Sequence, residues 1–281
     1  MMSEATPDPM RPRVSLITVC WNAEQTISDT LRSIDSQTYR DFEHIIVDGG
    51  STDSTLSFVA AANHENRRVF SGPDAGIYDA MNKGIGLARG EIIGFLNADD
   101  VFESNNTLAT VVAELKDDGY DACYGDLIYV SNRHPNRQMR YWKSCEFKSG
   151  LFGRGWCPPH PTFYVRRQVY EKFGRFDLRY KLAADVELMM RFLEIGHIKV
   201  RYIPHVLVRM RLGGATNKSA KNISRQNAEI LHALKEHGFK VSLARFWVSK
   251  VVNRFMQFLT RNKPRNPPRP DVGSLTSWKS G

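Results

Sequence analysis

Ile92-Ile93-Gly94-Phe95-Leu96-Asn97-Ala98-Asp99-Asp100 is an apolar run that stops abruptly in an amide and two acids. Short apolar runs bounded by polar residues read as buried strands of a parallel sheet. Such a strand delivers Asn97, Ala98 and Asp99 to its carboxyl end, the crevice in which open α/β sheets bind ligands. Adjacent carboxylates repel unless something positive lies beside them, and hard oxygen ligands on one turn suit Mg²⁺ or Mn²⁺ carrying a substrate's phosphates. The competing reading is a helix N-cap, since Asp is favoured there and a helix is expected from Asn105. The rest of the chain decides between them.

Upstream, Val14 to Val19 predicts a first strand, Cys20-Trp21-Asn22 a turn, and Ile27, Leu31 and Ile34 the apolar face of a helix. Phe42 to Val47 is a second strand ending in Asp48-Gly49-Gly50-Ser51-Thr52-Asp53, where paired glycines permit a tight turn and Asp53 or Ser54 caps a helix through Ala62. A weak third strand near Val69 leads through Gly72-Pro73-Asp74-Ala75-Gly76 into a helix from Ile77 to Ala88. This alternation predicts βαβ units and a mostly parallel sheet. No G-x-G-x-x-G follows the first strand and no G-x-x-x-x-G-K-S/T occurs, which argues against a dinucleotide fold and a P-loop. The first turn also lacks the glycine-rich basic loop that a sugar nucleotidylyltransferase would need.

The chain has 281 residues, 42% hydrophobic and 25% charged, enough for one large domain with appendages. Its formal charge of +9 lies at one end. From Lys240 onward nine Lys or Arg face the single Asp271, a net of +8, which leaves the first 239 residues at +1. Cys20, Cys123, Cys145 and Cys157 show neither metal-ligand nor disulfide-framework spacing, so reduced buried thiols are expected. Residues 1–12 form no secretory signal, and no run approaches the ~18 apolar residues of a spanning helix. A cytoplasmic protein is expected, touching membrane only at its surface. From Val241 to Leu259, Val248, Val251, Val252, Phe255, Phe258 and Leu259 share a helical face that Lys250, Arg254 and Arg261 avoid, the pattern of an interfacial anchor on anionic lipid or of a helix packed on the core. Residues 262–281, rich in proline, are expected to be disordered.

Five stretches in order carry a resemblance: VSLITVCWNAEQTI, IIVDGGSTDST, DAGIYDAMNKGIGLARGEIIGFLNADD, HPTFYVRR and AADVELMMRF. From about Val14 to about Met210 the chain resembles a family 2 glycosyltransferase. The resemblance implies an α/β GT-A fold over residues 13–212, with a nucleotide-sugar half (13–120) and an acceptor half (121–212), followed by helices over 213–261. It implies an inverting transfer from a nucleotide-diphosphate sugar to a glycan or lipid-linked acceptor, of the kind used to build cell-surface polysaccharide.

Residue by residue, the resemblance puts Asp48 on the nucleotide base and Trp21 stacked on it, although Trp21 packed in the core is the simpler alternative. Asp74, Asn82 and Lys83 would line the same pocket, with Lys83 equally at home on a solvated helix face. Asn97-Ala98-Asp99 corresponds to the family's D-x-D, so Asp99 would bind the divalent metal and Asn97, standing where the family usually has an acid, a ribose hydroxyl or the metal. Asp185 matches the catalytic base, with Ala184 where many relatives have glutamate. Glu187 is the reserve carboxylate, and His160 lines the site or is merely structural. Two other classes stand beside the enzyme: a noncatalytic nucleotide-sugar binder, prompted by Asn97 and Ala184, and a nucleic-acid binder, prompted by the basic tail. Near-neutral charge over the body and the lack of a readout motif weigh against specific nucleic-acid recognition.

Overall fold

The computed structural model describes residues 11–116, 119–132, 137–212 and 220–259. The segment 262–281, expected to be disordered, and nearly all of 1–12 lie outside the described residues. Strand β1 (Val14–Cys20) lies between β2 (Phe42–Asp48) and β4 (Ile92–Phe95), and β3 (Arg67–Ser71) extends the sheet beyond β2. All these pairings are parallel, as the continuous apolar runs require. Every residue of β1, β2 and β4 is buried. Ile17, Val19, Ile45 and Val47 pack with Ala80, Met81 and Ile85 of α3 (Ile77–Leu87). Cys20 and Ile46 meet Ile27 and Leu31 of α1 (Ile27–Asp35) and Val59 of α2 (Thr55–Ala61).

The second half of the sheet is mixed. Strand β8 (Tyr164–Arg166) runs antiparallel between β4 and β6 (Ala122–Val130), which in turn lies parallel to β9 (Val200–Arg211). The short β5 (Val101–Phe102) and β7 (Gln138–Trp142) add antiparallel edges to β9 and β6. The parallel expectation thus holds for β1 to β4. Beyond them loops replace some of the crossover helices, which frees strands to reverse. Strand β8 begins only at Tyr164, because Pro159 and Pro161 set up a 3₁₀ turn over His160–Thr162. Thr162 Oγ1 there donates to the Gly125 carbonyl at 3.0 Å.

Helices α4 (Thr107–Glu114) and α5 (Arg167–Phe173) cover the sheet, and α6 (Ala184–Met190) runs on into a π turn over Arg191–Ile195. Near the end, α7 (Ala220–Glu236) packs on α6, while α8 (Leu243–Leu259) lies against the Phe152–Arg154 turn and β7. Helix α8 has two characters. Phe246 is fully buried in the main core beside Gly155, yet Leu243, Trp247, Val248, Val251, Val252 and Phe255 are exposed. The side chains of Arg254, Phe258 and Leu259, and all of Arg261, fall outside the described part. Among the described residues no helix is long and apolar enough to cross a membrane. Cys145 is exposed, contrary to the expectation of buried thiols, because it follows β7 on an irregular loop.

Candidate active site

The strand ends β1, β2 and β4 bring the expected residues to one rim. Trp21, just past β1, is 69% exposed, which removes the core-packing alternative and leaves its indole face open. Asn22 takes a left-handed conformation (φ 49°), which an asparagine tolerates. Its Oδ1 accepts from Thr52 N (2.9 Å) and its own N–H donates to Ser51 Oγ (2.8 Å), tying the turns after β1 and β2 together.

Asp48 closes β2 wholly buried. Its Oδ2 accepts from Gly50 N (3.1 Å), Ser51 N (3.0 Å) and Ser71 Oγ (2.6 Å), and its Oδ1 from the Ser51 hydroxyl. Burial works against the charge, but the donors from Ser51, Ser71 and Gly50 outweigh it and hold the carboxyl below its usual range. Asp48 is thus an anion that braces its own turn, with both oxygens already engaged. Asp74 and Trp21 both approach Gly49. Asp74 Oδ1 accepts from Gly76 N (2.8 Å), and a β-carbon on Gly49 would stand 2.5 Å from Asp74 Oδ2 and 3.6 Å from Trp21 Cβ. A side chain at 49 would have to displace the Asp74 carboxylate.

Helix α3 distributes its polar residues differently from the sequence expectation. Asn82 spends both ends of its amide on one backbone unit: Nδ2 donates to Phe176 O and Oδ1 accepts from Phe176 N, each at 2.9 Å. It joins the two halves of the protein, with both ends of the amide already bound to the backbone. Lys83 donates to Pro73 O (2.8 Å) and pairs with Asp79 (3.0 Å) on the wall of a groove of about 430 Å³ that Ser71 and Arg175 also line.

At the end of β4, Asn97 to Asp100 form a turn closed by Asp100 N donating to Asn97 O at 3.0 Å. Asn97 Oδ1 is enclosed with no hydrogen-bond partner among the described residues. Asp99 is half-buried. Asp100 is 0% exposed; burial, and then the neighbouring Asp99 charge, push its pKa well above the carboxylate range against the opposing pull of Arg211. Burial thus disfavours the charged form of Asp100, which eases the expected repulsion between the two acids, while the half-buried Asp99 keeps contact with solvent.

The second half of the chain supplies another carboxylate. Asp185, in the first turn of α6, accepts a hydrogen bond from Tyr78 Oη of α3 at 2.9 Å, across 107 positions of sequence. Glu187 is buried and fully engaged: Oε1 and Oε2 meet Arg191 Nε and Nη2 at 2.9 Å each, and His237 Nε2 lies 2.9 Å from Oε1. Arg191 also donates to the carbonyls of Phe173 and Arg175. Glu187 therefore belongs to an ion-pair network rather than to the crevice. His160 is 8% exposed, wedged between Phe95 (centroids 5.3 Å) and Phe176 (5.6 Å), with neither ring nitrogen hydrogen-bonded among the described residues. Burial lowers its pKa, with the Asp185 charge opposing, so the ring is neutral. Among the described residues no three His, Cys, Asp or Glu converge as a metal cage.

Sequence reasoning missed Tyr78 as an individual and missed Glu229. Glu229 Oε2 accepts from Leu182 N (2.8 Å) and Ala183 N (3.0 Å), so α7 caps the start of α6 from outside. Tyr78 shares a face of α3 with Asn82 at i, i+4 spacing, a signal that was available.

The chain and its fold are similar to those of known proteins. The chain is 35% identical over 212 residues to a PGL/p-HBAD biosynthesis glycosyltransferase of Mycobacterium bovis, covering 73% of this chain and 80% of that protein. It is 27% identical to an uncharacterized glycosyltransferase of Haemophilus influenzae, covering 83% and 77% respectively. In fold it is similar to S. aureus TarS in complex with UDP-GlcNAc (TM-score 0.62, 19% identity, 89% of this chain and 72% of that one). It is also similar to the mannosyltransferase PcManGT of Pyrobaculum calidifontis in complex with GDP-Man and Mn²⁺ (TM-score 0.59, 22% identity, 89% and 76%). The sequence model of glycosyl transferase family 2 matches residues 15–174, more than half of the chain, and with this α/β sheet around its strand-end rim the protein belongs to that family.

Proposed function

We propose that this glycosyltransferase takes a sugar from a nucleotide-diphosphate donor and passes it, with inversion, to a hydroxyl of a glycan or lipid-linked acceptor. The observation that carries this reading is the division of labour on α6. Glu187 is tied up by Arg191 and His237, whereas Asp185 is half-buried, oriented by Tyr78 and adjacent to His160 on the end of β4. In this scheme the acceptor oxygen attacks the anomeric carbon, Asp185 takes its proton, and the nucleoside diphosphate leaves from the opposite face.

On the donor side, Trp21 offers its exposed face for stacking on the base, and Asp74, beside it, a carboxylate for the base or ribose. Asp48 contributes by holding the turn that shapes this floor. The end of β4 fits a divalent cation such as Mg²⁺ or Mn²⁺. Asp99 offers a half-buried carboxylate, Asn97 Oδ1 is an enclosed acceptor with no partner among the described residues, and such ions take one or two protein ligands plus phosphate oxygens. When bound there, the cation would neutralise charge building on the leaving diphosphate. Solved relatives in fold hold UDP-GlcNAc, or GDP-Man with Mn²⁺, which supports a nucleotide sugar and a cation here.

The exposed stripe on α8, within a C-terminal stretch of net charge +8 from Lys240 onward, supports peripheral contact with an anionic membrane, for which the cytoplasmic face is the natural side. The test is Asp185→Asn assayed by nucleoside diphosphate release across a donor and acceptor panel. Retained donor binding with transfer down ~10²–10⁴-fold is expected. Donor binding without turnover in the unaltered protein would favour the noncatalytic binder, the second reading prompted by Asn97 and Ala184.

A further inference from the structure

The hydrogen bond between Tyr78 and Asp185 joins the donor half to the acceptor half at the reacting group itself. Three observations converge on the phenol. Tyr78 Oη donates to Asp185 Oδ1 at 2.9 Å, and the Asp185 backbone amide also addresses the phenol oxygen. Its ring is stacked on Phe176, with centroids 5.5 Å apart and planes 29° apart. Phe176 in turn is fixed through both backbone polar groups by Asn82, one turn further along the same face of α3. Ring, backbone clamp and hydroxyl thus leave Tyr78 little freedom, and Asp185 inherits that rigidity.

Resting on the reading of Asp185 as the base, we infer that Tyr78 is a positioning residue for the transfer step: it holds Oδ1 so that Oδ2 is presented to the acceptor hydroxyl. The proton passes from that hydroxyl to Asp185 and not to the phenol, which is already protonated. Burial and the Asp185 charge push the Tyr78 pKa well above that of an ordinary tyrosine, so it acts as a permanent donor. The other groups around Asp185 do not compete. Burial raises the Cys157 thiol to about 12, and His160 is held neutral. Glu229 of α7 is occupied by the Leu182 and Ala183 amides. A hydrogen bond to a charged group aligns as well as stabilises, and misplacing a base by even 1 Å can cost on the order of 10²-fold.

The experiment compares full-length Tyr78→Phe, Asp185→Ala and the double variant by steady-state transfer, with thermal unfolding alongside. Tyr78→Phe is expected to lower kcat about 10- to 100-fold while leaving donor KM and Tm essentially unchanged, and to cause no further loss on top of Asp185→Ala. Wild-type kcat in Tyr78→Phe would overturn the inference. So would a loss that multiplies fully with that of Asp185→Ala, or one that comes with lowered Tm and raised donor KM, since a structural tyrosine behaves in those ways. Near-normal transfer by Asp185→Ala would strike the base assignment instead, a different failure.

Discussion

Replacing Asn82 with alanine separates a structural amide from a nucleotide contact. The substitution deletes two hydrogen bonds, Nδ2 to Phe176 O and Phe176 N to Oδ1, both 2.9 Å. At about 1 kcal/mol net for each, plus about 1 kcal/mol for stranding backbone groups of a residue only 4% exposed, the cost is about 3 kcal/mol. A domain of this size loses about 2–4 °C in Tm per kcal/mol, so unfolding of the donor-free protein should fall by about 9 °C. Differential scanning fluorimetry without and with donor reads this directly. The drop should be present without ligand, and the additional stabilisation by donor should be nearly that of the unaltered protein. An unchanged Tm in the free protein, joined to a weakened donor response, would refute the reasoning and restore Asn82 to the nucleotide.

Glu187→Gln breaks a buried ion pair and should cost about 3 kcal/mol in urea unfolding. The folded fraction should still transfer sugar within a few-fold of normal, and a stable but inactive variant would show that the wrong carboxylate on α6 was named. Asp99→Ala should abolish the dependence of donor binding on Mg²⁺ or Mn²⁺ in titration calorimetry with the fold intact, and metal-responsive binding in that variant would move the cation elsewhere. Truncation before Val241 is a poor probe of the membrane, because it also pulls Phe246 from the core. The paired exposed changes Val251→Asp and Phe255→Asp should instead leave Tm within about 1 °C and sharply reduce co-sedimentation with anionic vesicles. Undiminished sedimentation would discard α8 as the contact.

The parts of this protein that were legible in its sequence are those written in local periodicity. The runs Val14 to Val19, Phe42 to Val47 and Ile92 to Leu96 could be little else than buried strands, and their ends carried Trp21, Asp48 and Asp99 to one rim because parallel strands share a direction. What escaped was where a polar side chain spends its hydrogen bonds. Asn82 on Phe176 and Tyr78 on Asp185 are pairings about a hundred positions apart, and no local pattern encodes them. Glu187 and Arg191 were a missed i, i+4 signal, the ordinary spacing of a helical ion pair. Asp100 looked as charged as Asp99 because a sequence does not display burial, the one property that makes them differ.

The Glu229 cap changes what counts as the unit to be cut or exchanged. The family model spans residues 15–174, yet the loop leading to Asp185 is fastened from α7 by Glu229, by Gln226 on Leu182 and by Glu236 on Tyr180 and Arg179. A chimera joined at the edge of that span would graft one enzyme's crevice onto another's fastening. Engineers wishing to swap acceptor preference should move the stretch from Tyr164 through Glu236 as one cassette, and a seam placed before Ala220 would leave Asp185 on an unanchored helix.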